Sequence, residues 1–223
     1  MKKLVICSGG LDSVSMAIIE SAKHEVELMS FYYRQKGIQE INAVRTVADM
    51  LNVKLHEVDI SFMADIFGKN QLTDWNSGIE EGYVPSVVVP LRNAMFLQIA
   101  MIYASVNDFD EVVLGCHLND IEEVDGEMMY PDCSPEFLRA FEQASKLGKF
   151  KSDKLVKVES ASTKCWTKAD LIEMASEINP DILFHTWSCY TSGVHHCGVC
   201  ESCRNRKKAF EWAGIKDKTI YEN

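Results

Sequence analysis

The chain has 223 residues, of which 33 are acidic and 23 are basic, so its formal net charge is −10 at pH 7. This acidity argues against a broad nucleic-acid-binding surface, and no apolar run reaches the roughly 20 residues that a membrane-spanning helix needs. Glycines and Asp12 interrupt the first apolar run, which therefore does not resemble a signal peptide. We expect a cytoplasmic protein in which the eight cysteines do not form a disulfide framework.

The first half of the chain alternates short strand-like runs with segments of helical period. Strands are predicted over 3–7, 25–31, 53–60 and 111–115, and helices over 13–22, 38–51 and 92–106. Such alternation is typical of parallel βαβ units, so we predict an α/β fold with a doubly wound, mainly parallel sheet. Residues 61–83 are the least regular segment, where we predict a mobile lid or an insertion.

The second half has better-marked helix starts. Ser134 before Pro135 predicts the start of a helix over 136–147. After a strand over 154–160, Thr167 and Asp170 fit a capping box that opens a helix over 167–178. Cysteines and basic residues concentrate near the end, so we predict a main domain over 1–186 and a small C-terminal module over 187–223 packed on it.

A loop "SGGLDS", Ser8 to Ser13, separates the first strand from the first helix. Gly9 and Gly10 allow the backbone to approach a ligand closely, and successive N–H groups at a helix N-terminus bind anions. Asp12 would repel a bare polyphosphate, so its presence favours a Mg²⁺ ion between them. The alternative is a tight βα turn with Ser8 or Asp12 as a helix cap.

A C-x7-C-x2-C-x2-C array lies near the C-terminus, formed by Cys189, Cys197, Cys200 and Cys203. Four thiolates complete a tetrahedral shell, which predicts a structural Zn²⁺ site. The alternatives are reduced cysteines in a small core, or His195 or His196 in place of one cysteine. For the basic run that follows we predict a solvated helix face, with contact to a substrate or partner as the alternative: Arg204, Arg206, Lys207 and Lys208.

Several segments together resemble a known family. "SGGLDS" resembles the loop of the PP-loop ATP pyrophosphatases. The segments that follow in order, "VPLRNAMFL", "YPDCSPEF", "CWTKADLI" and "WSCY…CGVCESCR", resemble the 7-cyano-7-deazaguanine (preQ0) synthase family of queuosine biosynthesis over nearly the whole chain. The resemblance implies an ATP-dependent C–N ligase that converts 7-carboxy-7-deazaguanine and ammonia to the nitrile through an adenylated carboxylate and an amide. It also implies a homodimer that uses ATP with Mg²⁺.

The resemblance implies roles for individual residues. Catalytic roles fall on Asp12, Lys168 and Arg92. The alternative for Lys168 and Arg92 is that each is an exposed side chain at the start of a helix. ATP binding falls on Ser8, Gly9, Gly10, Leu11, Asp12 and Ser13. Substrate binding falls on Asn93, His117, Asp120, Asp132 and Cys133. For His117 a core or turn role is the alternative, and for Asp132 a role in the turn before Ser134.

Two departures from the family pattern bear on the acceptor amine. Arg34 and Gln35 are transposed in "YYRQ", and an acidic extension, "IEEVDGEMM" (121–129), precedes "YPDC". They leave open an enzyme that stops at the amide, or that joins the activated deazaguanine to another amine such as a protein N-terminus, as in phage or antiphage defence. A tRNA-thiolating enzyme and an inactive scaffold are further alternatives, which the acidic composition and the intact loop disfavour.

Overall fold

The computed structural model describes residues 1–68, 70–74, 76, 78, 88–150 and 153–223. The strands are β1 (Lys2–Ile6), β2 (Glu25–Tyr32), β3 (Lys54–Asp59), β4 (Glu111–Leu114), β5 (Glu123–Val124), β6 (Glu127–Met128) and β7 (Lys157–Ser160). The helices are α1 (Leu11–Ser21), α2 (Gln39–Leu51), α3 (Arg92–Val106), α4 (Pro135–Leu147), α5 (Lys168–Ile178), α6 (Pro180–Leu183) and α7 (Glu201–Trp212). Within these ranges, no helix is long and apolar enough to cross a membrane.

The main sheet of the described residues has the order β3-β2-β1-β4-β7, and every pairing in it is parallel. The chain moves outward through β2 and β3 on one side of β1 and through β4 and β7 on the other. The order therefore reverses between β1 and β4, and the crevice beyond their carboxyl ends is where α/β sheets of this type bind ligands. This confirms the predicted doubly wound parallel sheet.

Helices cover both faces of this sheet and define two apolar clusters. One cluster contains residues of α1, α2, α5, α6 and α7, and the other contains residues of α3 and α4. Because β1 and β4 are buried on both faces, their apolar runs are continuous rather than alternating. Ala209 and Phe210 of α7 belong to the first cluster together with Leu171 of α5. The division of the chain between 186 and 187 remains a prediction.

The predicted elements agree with the structure in kind, with ends that differ by at most three residues. The capping box at Thr167 and Asp170 and the cap at Ser134 are confirmed. Sequence reasoning missed α6 and the hairpin of β5 and β6. Of the segment predicted as a lid or insertion, Ser61–Asp65 forms a 3₁₀ turn, whereas residues 69, 75, 77 and 79–83 lie outside the described residues.

Candidate active site

The loop after β1 is a tight βα turn that leads directly into α1. Gly9 has a φ of 92°, and a Cβ atom there would lie 2.2 Å from the Glu40 carbonyl oxygen of α2, so only glycine fits. The N–H of Gly10 donates to Ser8 Oγ at 3.1 Å, and the N–H of Ser8 donates to Ser13 Oγ at 3.1 Å. The first-turn N–H groups of α1 have no intrahelical acceptor, which makes this an anion-binding position.

Leu11 differs from the other predicted loop residues in the direction of its side chain. The side chain is 1% exposed and packs in the apolar cluster under the sheet. Only the backbone N–H of Leu11 is available to a phosphate.

A charged cluster stands beside the loop and joins α1, α5 and the turn after β4. Lys168 is buried, so the alternative of a surface lysine is wrong, and its Nζ donates to Asp12 Oδ2 at 2.9 Å. The Nε2 atom of buried His117 lies 3.5 Å from Asp12 Oδ1. Burial alone would raise the pKa of Asp12, but the charges of Lys168 and His117 outweigh it and hold the pKa well below its ordinary value. Asp12 is therefore ionised at neutral pH, as a cation ligand must be.

Arg92 and Asn93 begin α3 opposite the loop. The Arg92 Nη1 donates to Tyr33 Oη at 3.3 Å, while its buried Nε has no hydrogen-bond partner among the described residues. The Asn93 backbone N–H and Nδ2 each donate to Asp132, at 3.1 Å. Asp132 therefore caps α3 from a distant segment, whereas α4 is capped by Ser134, whose Oγ accepts the Phe137 N–H. An unpaired guanidinium nitrogen in a cavity wall is suited to an incoming anion.

Two thiols and a carboxylate meet beneath Asn93. One ligand atom each of Cys116, Asp120 and Cys133 lies within 4.8 Å of the other two, an arrangement that can hold a cation. Asn93 Nδ2 donates to Cys133 Sγ at 3.3 Å. The adjacent Cys116 thiol and burial raise the pKa of Cys133 well above its ordinary value, so Cys133 is a neutral thiol in the free protein.

One cavity of about 290 Å³ joins the predicted residues. Its lining includes the loop, Asp12, Lys168, Arg92, Asn93, Asp120, Asp132 and Cys133. His117 does not line the cavity, but its ring contacts two residues that do, Asp12 and Asp120. The half-buried Glu40 also faces the cavity, and burial raises its pKa to about 8 despite the nearby Arg92 charge.

The C-terminal segment contributes to the same cavity, which sequence reasoning missed. Tyr190, Glu201 and Asn205 line it together with Tyr130 of the "YPDC" segment. The sequence signal that could have found them is their place next to predicted metal ligands. Tyr190 follows Cys189 and Glu201 follows Cys200, so a metal that orders the cysteines also positions their neighbours.

The four predicted cysteine ligands converge on one point. The Sγ atoms of Cys189, Cys197, Cys200 and Cys203 all lie within 4.8 Å of one another, as a tetrahedral metal centre requires. Backbone N–H groups of Thr191 and Cys197 point at Cys189 Sγ, at 3.5 and 3.3 Å, and such donors stabilise a thiolate. The donor set fits a metal ion.

Neither histidine of the array replaces a cysteine. The buried His196 packs against the tilted Trp187 ring, with ring centroids 4.4 Å apart, and its Nε2 accepts the Ser188 N–H at 3.1 Å. Burial lowers the pKa of His196 to about 4, so the ring is neutral. His195 is exposed.

The predicted solvated basic face is wrong for Arg206. This side chain is 0% exposed, and its guanidinium donates to Thr186, Ser188, Thr219 and the Leu183 carbonyl. Arg206 is thus a buried connector between α6, α7 and the C-terminus. The planar guanidinium carries five donors, which is why it can serve several neighbours at once.

The two departures in the sequence have different surroundings. Gln35 lines the cavity and accepts the Tyr33 N–H at 2.9 Å, whereas Arg34 is exposed beside Asp65. The extension over 121–129 forms the exposed hairpin of β5 and β6. The hairpin therefore changes the surface near the cavity rather than its lining.

The first strand of the parallel sheet is followed by the loop Ser-Gly-Gly-Leu-Asp-Ser, which lies where the strand order reverses. This combination places the chain in the PP-loop class of α/β enzymes. The family model described as "Queuosine biosynthesis protein QueC" matches residues 2–214, and the chain belongs to that family.

Curated relatives named 7-cyano-7-deazaguanine synthase match the whole chain. The protein of Brucella anthropi is 35% identical over 100% of this chain and 94% of its own length. That of Brucella ovis is 37% identical over the same shares, and that of a Ruegeria species is 36% identical over 99% and 93%.

Two solved structures are also similar. One is a predicted tRNA methyltransferase subunit from Methanocaldococcus jannaschii, with a TM-score of 0.44 and 16% identity over 79% of this chain and 75% of that one. The other is an NH3-dependent NAD synthetase from Campylobacter jejuni, with a TM-score of 0.40 and 15% identity over 98% and 88%. At these scores neither adds to the assignment.

Proposed function

We propose that this enzyme makes 7-cyano-7-deazaguanine from 7-carboxy-7-deazaguanine, ammonia and ATP. The observation that carries the proposal is one cavity that joins an anion-binding loop to the "YPDC" segment and the C-terminal segment. The full-length relatives, by their name, favour this reaction over conjugation of the deazaguanine to another amine.

The proposed chemistry needs positioning and charge stabilisation more than a side-chain nucleophile. A carboxylate is a poor electrophile until adenylation converts one oxygen into a leaving group; ammonia then displaces AMP to give the amide. A second ATP adenylates the amide oxygen and releases pyrophosphate; loss of AMP together with the two amide N–H protons then gives the nitrile. Cys7 lines the cavity, but burial raises the pKa of its thiol to about 11, which leaves it protonated and unsuited to attack.

The residues of the cavity have matching roles in this proposal. The loop N–H groups of Ser8 to Ser13 bind the ATP phosphates, and Lys168 stabilises the charge that develops as pyrophosphate leaves. Arg92 supplies a second cation to the phosphates or to the substrate carboxylate. Asn93, Asp120, Asp132 and Cys133 shape the base side of the cavity, and His117 holds Asp12 and Asp120 in place. Mg²⁺ bound through Asp12 would neutralise phosphate charge.

The metal of the four-cysteine site is proposed to be Zn²⁺. Four sulfur ligands leave no position for water, so its role is structural. The proposed homodimer rests on the family resemblance, and the proposed cytoplasmic location rests on the apolar pattern of the sequence.

The test is incubation with 7-carboxy-7-deazaguanine, Mg-ATP and ammonia, with mass spectrometry of the base and a separate pyrophosphate assay. The expected product is the nitrile, formed with AMP and pyrophosphate. The Asp12→Ala variant should form none of the three. An amide end product, or an activated base consumed only when a peptide amine is added, would replace the proposal with the alternative.

A further inference from the structure

The cavity lining combines hydrogen-bond donors with acceptors. Backbone N–H groups of the loop, Lys168 and Arg92 donate, which suits phosphate and carboxylate oxygens. Glu201, the first residue of α7, also lines the cavity and is 6% exposed. A carboxylate only accepts hydrogen bonds when it is ionised.

Glu201 is held by neutral side chains from three segments. Its Oε2 accepts the hydroxyls of Tyr130 at 3.2 Å and Tyr190 at 2.5 Å. Its Oε1 accepts from Asn205 Nδ2 at 2.8 Å. Buried acceptor atoms are stabilised when donors occupy their lone pairs. Because Glu201 lines the cavity wall, its position points to a ligand that supplies further donors.

Counting lone pairs shows what that ligand must offer. Each carboxylate oxygen has two acceptor positions. Tyr130, Tyr190 and Asn205 are the donors to Glu201 among the described residues. The two tyrosine hydroxyls are also hydrogen-bonded to each other, so the one Tyr130 proton goes either to Glu201 or to the Tyr190 oxygen. In either case three donor protons leave two acceptor positions of this group open, and these suit two neighbouring N–H donors.

We propose that Glu201 is the specificity-determining residue that recognises the amino-pyrimidinone edge of the substrate, its ring N–H and exocyclic amine. This inference rests on the proposed function. In 7-carboxy-7-deazaguanine the carboxylate lies on the five-membered ring and the N–H edge on the six-membered ring. Binding that edge at Glu201 directs the carboxylate toward Lys168, Arg92 and the loop, where adenylation takes place.

The test compares two ligands on the full chain by calorimetry without ATP. One is 7-carboxy-7-deazaguanine, and the other is its analogue without the exocyclic amine. The wild-type protein should bind the first more tightly by ~10–100-fold, the effect of one hydrogen bond to a buried charged group. The Glu201→Gln variant places an amide donor against the N–H edge, so the exocyclic amine no longer gains a hydrogen bond to a carboxylate. The preference for the first ligand should therefore fall to within ~3-fold.

Glu211→Gln is the matched control, because Glu211 is an exposed residue of the same helix. It should keep the wild-type preference, and thermal melting should show both variants folded. If Glu201→Gln does not fold, Tyr190→Phe removes one orienting donor and should weaken binding of the guanine-type base by ~3–10-fold.

Loss of overall affinity with an unchanged preference between the two ligands would overturn the assignment and make Glu201 a structural residue. The assignment would also be overturned if the Tyr190→Phe variant bound 7-carboxy-7-deazaguanine with the same affinity as the wild-type protein. Failure of the proposed function looks different, because wild-type protein would then bind neither ligand and form no nitrile.

Discussion

Replacement of Gly9 by alanine tests whether the loop depends on its close contact with α2. Gly9 has a φ of 92°, and its added Cβ would lie 2.2 Å from Glu40 O and 2.9 Å from Val44 N. The backbone strain costs about 1–3 kcal/mol, and forcing α2 outward adds about 1–3 kcal/mol of overpacking. The sum of ~2–6 kcal/mol lowers the Tm by ~4–24 °C for a chain of this size.

Gly126→Ala is the matched control for this variant. Gly126 has a φ of 84°, but no atom lies within 4 Å of its added Cβ, so it carries the strain without the steric contact. Calorimetric melting and the pyrophosphate assay should show a smaller loss of Tm and normal turnover for Gly126→Ala, and a larger loss with greatly reduced turnover for Gly9→Ala. Equal melting temperatures and equal turnover in the two variants would refute the steric argument.

Three further predictions concern the charged cluster and the metal site. Lys168→Met should reduce pyrophosphate release by ~100-fold or more, whereas the exposed Lys157→Met should not; a loss under ~3-fold would exclude Lys168 from charge stabilisation. The folded-state pKa of Asp12 is depressed, so its contribution to stability is full above its ordinary pKa of 3.8 and is lost as pH falls through the lower folded value. Chemical denaturation should therefore show a stability gap between wild type and Asp12→Asn that narrows below pH ~4, and a constant gap would contradict the ionised pair. Cys203→Ser should lose bound zinc in metal analysis while His195→Ala retains it, and full zinc content in Cys203→Ser would remove Cys203 from the ligand set.

The elements that could be predicted are those with a local physical cause. Continuous apolar runs mark β1 and β4 because parallel strands are buried on both faces. The caps at Ser134 and Thr167 mark α4 and α5 because each side chain accepts an N–H of its own first turn. Weak local signals explain what was missed: α6 has four residues, and the strands of the β5–β6 hairpin have two each.

Burial of polar side chains could not be predicted in the same way. In the sequence, Arg206 is one of four basic residues on a helix, and only the positions of Thr186, Ser188 and Thr219 make it the buried member. The role of Asp132 could not be predicted either, because it accepts two hydrogen bonds from Asn93, which is 39 residues away. Such contacts depend on how separate elements pack, and no local pattern encodes that packing.

The sequence by itself determined the alternation of strands and helices, the "SGGLDS" loop and the spacing of four cysteines, because each depends on neighbouring residues. The tertiary structure decided that Asp12 meets Lys168, which is 156 positions later. It also decided that the C-terminal segment, through Tyr190 and Glu201, lines the same cavity as the loop. The physical reason is that parallel strands align their carboxyl ends at one edge of the sheet, which gathers distant residues in one crevice.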